Sequence, residues 1–428
     1  MELVKQLQNF KTLESVIEYF ATTDALTFWE NIRFKDGYFC PKCGSTHVYK
    51  CKNHRFSCAD CKNNFTATVG TIFASTKINL KYWFVALWKI LNTTDGISSH
   101  QLARENGLSQ KTNFYLIHKF RFLLKIHQVK TFGKFSVCSC GTHVVYNDSV
   151  QRYICPKCLK QYVSIQGRLI EEYRFTNVQY SVCFNSYRLK YEAKIKGVYA
   201  PTQSFYPKCC TRLGINDLER EDYNYIMNKF KDWDINKETT GTIVAVDEFY
   251  ILSDCKKQKG YRRLLKYRNS QKLCGLVVVD QYNNTMLIPF NESEYNTNKT
   301  FTTLLQRYLG NETILVTDES NLYNLSGNIF VKRYQSSHAK KIFTVEDKGI
   351  TYSSNICENN VKHFKRCIKG TYNKITANYF DLYLATRAFR SQYNTNKVTS
   401  VERVYNFFNT VDFDTKITIK QLSSRLVA

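Results

Sequence analysis

The apolar and polar positions of this chain are patterned most clearly after residue 240. Short continuous apolar runs in that part predict buried β-strands, at 242–252, 272–280, 284–290, 313–317 and 328–331. Helical spacing of apolar residues predicts one helix at 296–309 and another that begins near Asn355. The order of these elements predicts an α/β core within residues 241–395.

Three acidic residues stand at particular places in this pattern. Asp247 lies within the first apolar run, Asp318 directly follows the run at 313–317, and Glu358 lies in the late helix. Three strands followed by helix, strand, helix, strand and helix is the order that a ribonuclease-H-like core requires. That order would bring the three carboxylates to one point, where they could hold two Mg²⁺ (or Mn²⁺) ions for attack on a phosphate. A single acidic residue is more often a surface charge, so the hypothesis depends on all three together.

The late helix carries more than one polar residue on the same face. Asn355, Glu358, Lys362 and Lys365 are spaced by three, four and three residues, so they share that face. A metal-binding Glu358 with Lys365 two turns later suits a site that holds both a metal ion and the adjacent DNA phosphate. Lys362 is a further candidate DNA contact, and the alternative interpretation is a salt-bridged surface helix.

A pair of helices is predicted between residues 80 and 127. Residues 80–92 have amphipathic spacing, and Ser98 or Ser99 can cap a short helix after them. Asn106-Gly107 suits a left-handed turn, and Ser109 can cap the next helix. This pattern is typical of a helix-turn-helix, although a plain helical bundle would show it too.

The second helix of this pair would present polar residues to the major groove of DNA. Its first turn carries Gln110, Lys111, Thr112 and Asn113. Gln110 and Asn113 are candidate base readers, and Lys111 and Arg121 are candidate phosphate contacts.

Four cysteines near the N-terminus have the spacing of a zinc ribbon. The pairs Cys40/Cys43 and Cys58/Cys61 are separated by fourteen residues, which lets a hairpin bring them together. Four thiolates form a closed tetrahedral Zn²⁺ site without an open position, so the site is expected to be structural. Cys51 lies between the pairs and is interpreted as a spare thiol.

A second set of cysteines repeats the first at an offset of 97 residues. The shift superimposes Cys43 on Cys140, Cys58 on Cys155 and Cys61 on Cys158, while Cys138 is displaced by one residue from the position of Cys40. It also aligns a glycine, an arginine and an aromatic residue. A second structural zinc ribbon is predicted at 134–165, and a hairpin with four free thiols is the alternative. Its basic residues, among them Arg152, Lys157 and Lys160, suggest a second surface for DNA or a partner.

The charge balance narrows the range of expected binding partners. The chain has 428 residues and a formal charge of +25, from 61 Lys and Arg against 36 Asp and Glu. Such an excess favours a polyanion, most commonly double-stranded DNA. The 30 Tyr and 29 Phe argue against disorder. No apolar run is long enough for a membrane span, and the first residues lack a signal-peptide core.

These observations predict a multidomain α+β protein. Its expected parts are an N-terminal helical segment, a zinc ribbon, a helix-turn-helix, a second zinc ribbon, a linker or insert, a ribonuclease-H-like core and a C-terminal tail. The expected boundaries are 1–35, 36–68, 69–127, 134–165, 166–240, 241–395 and 396–428. Sixteen cysteines without a secretion signal favour a reducing compartment. The expected location is the bacterial cytoplasm, at the nucleoid, or the nucleus in a eukaryotic host.

Several motifs in the same order resemble one family, the Merlin-type DDE transposases, which are zinc-ribbon insertion-sequence enzymes with eukaryotic Merlin relatives. The motifs are Cys40-Pro41-Lys42-Cys43-Gly44-Ser45, Val246-Asp247-Glu248, Ser354-Asn355-Ile356-Cys357-Glu358, and the stretches 69–73, 97–99, 101–104, 250–251, 364–366, 370–372 and 389–394. The resemblance implies transposition by a ribonuclease-H-like core. It maps the three metal-binding acids onto Asp247, Asp318 and Glu358.

The chain departs from the family pattern in two places. The passage from the helix-turn-helix to the core is about 115 residues long and carries the second ribbon. Before the third acid, the family often has His-Thr-Asn, whereas this chain has Tyr352-Ser353-Ser354-Asn355. Some relatives use an asparagine as third ligand, so Asn355 is a rival to Glu358, which is preferred because a carboxylate holds Mg²⁺ better. His338 falls where the family often has a histidine, and a structural role is equally open for it.

The leading hypothesis is a DNA transposase that binds terminal inverted repeats and acts as a dimer or higher assembly. A domesticated, non-catalytic DNA-binding regulator is the alternative, and a repair or junction nuclease is a third.

Overall fold

The computed structural model of the chain describes residues 2–197, 218–231, 233, 240–253, 272–336, 344–347, 350–372, 375–393 and 398–414. His338 lies outside these described residues. No helix in the described ranges is both long enough and apolar enough to cross a membrane.

The N-terminal part consists of three helices and a small antiparallel sheet. The helices are α1 (Glu2–Leu7), α2 (Leu13–Thr22) and α3 (Ala25–Arg33), and the strands are β1 (Val48–Lys50), β2 (Arg55–Cys58) and β3 (Asn64–Thr66). Trp29 of α3 donates a hydrogen bond from its indole N–H to the carbonyl of Ala67, at 2.7 Å. This bond ties the cysteine-bearing sheet to the helices that precede it.

Three helices follow, as the sequence pattern predicts: α4 (Leu80–Asn92), α5 (Ser99–Asn106) and α6 (Gln110–His127). The Ser98 hydroxyl accepts a hydrogen bond from the backbone of Gln101 and so caps α5. Gly107 then turns the chain with φ of +71°, a left-handed conformation that favours glycine. Ser109 caps α6 in the same way as Ser98 caps α5.

The second cysteine-bearing segment forms a four-stranded antiparallel sheet followed by two helices. The strands are β4 (Val145–Asn147), β5 (Arg152–Ile154), β6 (Gln161–Ile165) and β7 (Arg168–Glu171), and the helices are α7 (Asn177–Ile195) and α8 (Arg220–Lys229). Apolar residues of β6, α7 and α8 share one core, in which Phe184 and Phe230 are fully buried. The insert is therefore a packed helical unit over its described residues.

The largest sheet follows, with strands β8 (Thr242–Leu252), β9 (Lys272–Asp280), β10 (Thr285–Phe290), β11 (Thr313–Thr317) and β12 (Lys332–Gln335). Helix α9 (Asn298–Tyr308) joins β10 to β11, and the short helix α10 (Ser326–Ile329) precedes β12. The spatial order is β10-β9-β8-β11-β12. Strands β8, β9 and β10 pair antiparallel, whereas β11 pairs parallel with both β8 and β12.

One predicted strand is wrong. The apolar run at 328–331 was expected to be extended, but its first residues complete helix α10 and the strand begins at Lys332. Asn328 and Ile329 are buried because they face the second ribbon: their carbonyls accept backbone N–H bonds from Gln166 and Gly167, at 2.7 and 3.1 Å. Burial against the second ribbon explains why residues 328–331 are apolar, although the first of them are helical.

A two-stranded sheet, β13 (Thr344–Asp347) and β14 (Ile350–Ser353), leads into helix α11 (Asn355–Cys367). A π-helical turn (Ile368–Tyr372) ends α11, and helices α12 (Ala377–Gln392) and α13 (Ser400–Thr410) follow. Phe407 of α13 is fully buried in the same core as the N-terminal helices. The segment expected to be a tail therefore contains a packed helix.

The two faces of the large sheet are covered by different helices. Val244 and Val246 of β8 face one core with Phe301 of α9. Ala245 and Phe249 face the opposite core with Phe364 of α11. Alternate residues of a strand point to opposite faces, so Asp247 faces α11 and Glu248 faces the α9 side.

Close packing at one glycine gives a testable prediction. A methyl group added at Gly275 would lie 2.4 Å from the Phe249 ring, which crosses the β8–β9 pair. Gly275→Ala should therefore lower the free energy of unfolding by about 1–3 kcal/mol, as overpacking does, in urea unfolding of the full chain. Gly370→Ala is the matched control, because no heavy atom lies within 4 Å of the added methyl group. Equal stability of the two variants would contradict the packing described here.

Candidate active site and metal centres

The pairing of β8 with β11 places Asp247 beside Asp318. The parallel register pairs Val316 with Ala245, so two residues further on Asp318 emerges from the end of β11 next to Asp247. The Asp318 carboxylate is oriented by the backbone N–H of Ser320, which donates to its Oδ1 at 2.9 Å. Two carboxylates thus meet where the two strands run side by side.

Helix α11 brings the third acidic residue to the same place. Cys357 and Phe364 are buried against the sheet, which turns Glu358 toward the solvent side of the helix. The start of α11 is tied to β11 through hydroxyl groups: Ser336 bonds Ser354 at 2.8 Å and also donates its backbone N–H to Thr317, at 2.9 Å. The strand end that carries Asp318 and the helix that carries Glu358 are therefore held by one short chain of bonds.

A cleft of about 910 Å³ lies between strand β8 and helix α11. Asp247 and Glu248 line its strand side, and Glu358 lies on its helix side. Four basic residues of α11 and the following turn also line it, namely Lys362, Lys365, Arg366 and Lys369. The cleft thus combines a carboxylate side with a cationic side, which suits a phosphate ester bound next to a metal ion.

The electrostatics of Asp247 show how the carboxylates act on one another. Burial raises the pKa of Asp247 to about 7, and the nearby negative charges of Glu248, Asp318 and Glu358 add to the rise, while Lys365 opposes it. Burial and like charges disfavour the ionised form of a carboxyl group, and a nearby cation favours it. Hard carboxylate oxygens are the ligands that Mg²⁺ prefers, so the residues present fit a divalent ion.

The acidic residues are less tightly gathered than the cysteines. Among the described residues, only two groups have metal-ligand atoms that all lie within 4.8 Å of one another, and both are cysteine groups. A divalent ion would therefore bind here with water and substrate oxygens beside the protein ligands, as Mg²⁺ commonly does.

The other expected residues of α11 are exposed. Lys362 and Lys365 line the cleft, as the shared helix face predicts. Asn355 is also exposed, and it does not line the cleft, whereas Glu358 does. The choice between Glu358 and Asn355 as third ligand stays a prediction.

One residue of the site was missed by the sequence analysis. Glu248 is half-buried on the reverse side of β8, where the hydroxyl of Tyr323 donates a hydrogen bond to its carboxylate. Burial raises the pKa of Glu248, and this hydrogen bond opposes the rise. An acidic residue beside Asp247 in an otherwise apolar strand was the available signal, although neighbouring strand residues point to opposite faces.

The first cysteine group has the geometry of a zinc site. The Sγ atoms of Cys40 and Cys61 lie 3.6 Å apart, as do those of Cys43 and Cys58. Backbone N–H groups near Cys61 lower the pKa of Cys58 to about 6, which favours the thiolate that Zn²⁺ requires. Cys51 is exposed and outside the group, as expected.

The second cysteine group is assembled in the same way. The Sγ atoms of Cys138 and Cys158 are 3.4 Å apart, and those of Cys140 and Cys155 are also 3.4 Å apart. Cys138 has an additional partner, the hydroxyl of Tyr162, at 3.0 Å. The two Cys₄ groups are consistent with two structural zinc sites.

The second ribbon is docked on the large sheet. Asn311, at the start of β11, donates to the carbonyl of Gly167 at 2.8 Å, and its side-chain oxygen accepts from the backbone of Ser136 at 2.7 Å. Arg152, which was expected to face DNA or a partner, instead bonds Gln161 and the carbonyl of Phe175. Arg152 is half-buried and joins the ribbon to the insert, so a contact with DNA or a partner stays a prediction for it.

Two expected DNA contacts on α6 are buried. Asn113 is fully buried and its side-chain amide bonds Asn106 and the carbonyls of Leu108 and Ser109, so it fixes the turn between α5 and α6. Its assignment as a base reader is therefore wrong.

Arg121 is also misassigned. It is 2% exposed, and its guanidinium lies 5.0 Å from the ring of Tyr372 and 3.9 Å from that of Tyr383. It thus joins α6 to the turn after α11 instead of facing DNA. Gln110 and Lys111 are exposed and Thr112 is half-buried, so these three stay available at the helix start.

Comparison with known proteins identifies two segments of the chain. Residues 239–392 match a family profile described as ISXO2-like transposase domain, and residues 23–64 match one described as transposase zinc-ribbon domain. The second ribbon lies outside both matches.

A similar curated protein is the "uncharacterized protein in transposable element ISH50" of Halobacterium salinarum, which is 29% identical over 93 residues. The match covers 21% of this chain and 31% of that protein. No solved structure matches the chain. The resemblance to zinc-ribbon insertion-sequence transposases is therefore confirmed.

The second ribbon generates a prediction about zinc. Position 162 corresponds to Phe65 in the first ribbon, and only the tyrosine can donate a hydrogen bond to a cysteine ligand. Purified protein should contain two zinc ions per chain, and Tyr162→Phe should weaken retention of one of them by roughly tenfold, as loss of a supporting hydrogen bond does. Zinc release to a colorimetric chelator measures both quantities.

Tyr173→Phe is the control for this measurement, because Tyr173 lies near the same ribbon and its hydroxyl bonds Glu171 instead of a cysteine. A single zinc ion per chain would show that the second group holds none.

The raised pKa of Asp247 generates a prediction about stability. The pKa of Asp247 is about 7 in the folded protein and about 3.8 for an aspartate in the unfolded chain. Between these two pH values the unfolded chain binds fewer protons, so the stability of the metal-free fold falls as pH rises. Asp247→Asn should therefore stabilise the metal-free protein at pH 8, on the order of 2–4 kcal/mol at about 1.4 kcal/mol per pKa unit. The gain should shrink toward pH 5.

Urea unfolding in the presence of a chelator measures this gain, with Asp36→Asn as the control because Asp36 is exposed and far from the cleft in sequence. If Asp247→Asn and Asp36→Asn leave the unfolding midpoint at pH 8 equally unchanged, Asp247 is not electrostatically strained.

Proposed function

We propose that this chain, which resembles the zinc-ribbon insertion-sequence transposases in both matched segments, is a DNA transposase that cleaves and joins DNA at a divalent metal site. The observation that carries the proposal is the charge environment of Asp247. Burial and the charges of Asp318 and Glu358 act on this one carboxyl group, at a cleft whose other wall is basic. Such an arrangement suits phosphoryl chemistry and has little use in a protein that only binds DNA.

The sheet supports a ribonuclease-H-like core. Three antiparallel strands continue into two parallel strands, with β8 in the centre, and the acidic residues lie on β8 and at the end of β11. We assign Asp247, Asp318 and Glu358 as the ligands of two Mg²⁺ or Mn²⁺ ions. When bound, these ions would supply an activated water and neutralise charge on the phosphate.

The chain's own residues would then position the DNA. Lys362 and Lys365 project from the same helix as Glu358, so they can bind the phosphates that flank the scissile bond. In the first reaction a water oxygen attacks phosphorus at the transposon end, and a 3′-hydroxyl leaves. In the second, that 3′-hydroxyl attacks a phosphodiester of the target DNA and displaces its 3′-oxygen. No net oxidation or reduction occurs.

Recognition of the transposon ends is assigned to helices α5 and α6. They form a tight helical pair around Gly107, and the exposed start of α6 carries Gln110 and Lys111. This geometry supports a helix-turn-helix that reads the major groove. Assembly as a dimer or larger complex when two ends are paired stays a prediction.

A non-catalytic DNA-binding regulator is not favoured. A regulator descended from a transposase has no need for the cleft, and substitutions at the acidic residues would relieve the destabilisation they cause. Asp247, Asp318 and Glu358 are all present, and their charges act on one another.

Catalysis should depend on the acidic residues while DNA binding does not. Asp318→Asn keeps the shape of the side chain and removes the charge that a divalent ion needs. Cleavage of supercoiled DNA bearing the element's ends should therefore fall by roughly a hundred- to a thousandfold, as loss of one catalytic electrostatic group does. Affinity for the ends, measured in the absence of divalent ions, should stay within about twofold. Cleavage at the wild-type rate by Asp318→Asn would refute the assigned site.

Comparison of Glu358→Gln with Asn355→Ala tests the third ligand. Only the Glu358 variant should lose cleavage, because Glu358 lines the cleft and a carboxylate holds Mg²⁺ better than a neutral amide. The reverse result would assign the third ligand to Asn355.

A further inference from the structure

The turn that carries Asp318 is held from the α9 side of the sheet, opposite the face that packs against α11. After Asp318 the chain makes a tight turn to Tyr323, whose side chain is fully buried. The Tyr323 hydroxyl crosses to the neighbouring strand β8 and donates its hydrogen bond to the Glu248 carboxylate. The far end of the turn is therefore tied to the strand that carries Asp247.

Arg333 of strand β12 holds the near end of the same turn. Its Nη2 donates to the carbonyl of Asp318 at 2.8 Å and to that of Ser320 at 3.2 Å, and its Nε donates to the Thr317 hydroxyl at 2.8 Å. The guanidinium carbon also lies 5.5 Å from the centre of the Tyr323 ring. These contacts involve Asp318 itself and three residues of the turn around it, namely Thr317, Ser320 and Tyr323.

Stability alone does not account for these charged groups. Glu248 lies on the same face of β8 as the buried Val244 and Val246. An apolar residue at position 248 would therefore pack there without removing a charged group from water. Buried ionic groups often contribute less to stability than apolar residues of the same volume. A role in fixing the geometry of the turn explains why polar groups stand there.

We infer that Glu248, Tyr323 and Arg333 are positioning residues that hold the Asp318 carboxylate in the orientation that binds a divalent cation. The inference rests on the proposed function, because it takes Asp318 as a ligand. Glu248 acts through Tyr323 and does not itself contact the cation, although it neighbours Asp247 in sequence. Outer hydrogen bonds of this kind commonly change metal affinity by roughly ten- to a hundredfold.

Tyr323→Phe is the sharpest test, because it removes one hydroxyl and keeps the ring beneath Arg333. The variant should bind Mn²⁺ roughly tenfold more weakly than the wild-type protein. Binding to the full chain is measured without DNA, from the electron paramagnetic resonance signal of free Mn²⁺. Tyr180→Phe is the matched control: the Tyr180 hydroxyl bonds Glu172 in the buried core of the insert, away from the cleft. The control should bind Mn²⁺ as the wild-type protein does.

Arg333→Lys keeps the positive charge and loses the planar set of donors, so it should weaken Mn²⁺ binding by a similar factor. Urea unfolding of each variant checks that the fold is retained. If Tyr323→Phe and Arg333→Lys, both folded, bind Mn²⁺ as tightly as Tyr180→Phe, the inference is overturned.

A double-mutant cycle separates positioning from direct ligation. If Glu248 acts only through Tyr323, Glu248→Gln and Tyr323→Phe should each weaken Mn²⁺ binding by the same factor, and the double variant should be no weaker. A much larger loss in Glu248→Gln, with effects that multiply, would make Glu248 a ligand and overturn the inference.

The outcomes also distinguish the inference from the proposed function. Mn²⁺ binding that depends on Tyr323 in a protein that fails to cleave DNA would contradict the function and leave the positioning role intact. If the wild-type protein cleaves DNA but Mn²⁺ binding does not depend on Tyr323, the proposed function would stand and the positioning role would be contradicted. A wild-type protein that binds no Mn²⁺ would overturn both.

Discussion

Burial of the Asp247 carboxyl group beside other carboxylates that the fold brings together is the constraint on which the site depends. The parallel pairing of β8 with β11 brings Asp318 beside Asp247, and the packing of α11 adds the charge of Glu358. Burial and the neighbouring negative charges together raise the pKa of Asp247. On the proposed function, a divalent cation bound among these carboxylates would relieve that destabilisation of the metal-free fold.

The remaining parts of the chain stabilise that arrangement from several directions. The second ribbon and its helical insert are bonded to the start of β11 and to helix α10, next to the strand that ends in Asp318. On the other side, Arg390 of α12 donates to the carbonyls of Thr93 and Thr94, in the turn before α5. The helices assigned to DNA reading and the helix that carries Glu358 are thus parts of one packed body, in which the ribbons act as structural supports.

Much of the fold could be predicted from the sequence because apolar runs and capping residues are local signals. The strands Thr242–Leu252 and Lys272–Asp280 and the helix Leu80–Asn92 agree with their predicted bounds. The prediction of a strand at 328–331 was wrong because this apolar run is buried by tertiary contact with the insert and not by pairing in the sheet. The predictions for Asn113 and Arg121 were wrong for a related reason. Polar residues on a helix are expected to be exposed unless their partners, which are distant in sequence, are known. The acidic residues could be found from sequence, but their support by Tyr323 and Arg333 depends on strand pairing.

Anomalous diffraction at the manganese edge, from crystals of the full chain grown with Mn²⁺ and a duplex of the element's end, tests the central claim most directly. The account predicts two peaks about 3.5–4 Å apart in the cleft, bounded by the carboxylates of Asp247, Asp318 and Glu358 and adjoining a DNA phosphate. An occupied DNA site with no manganese between these three side chains, or manganese bound only elsewhere on the chain, would contradict it.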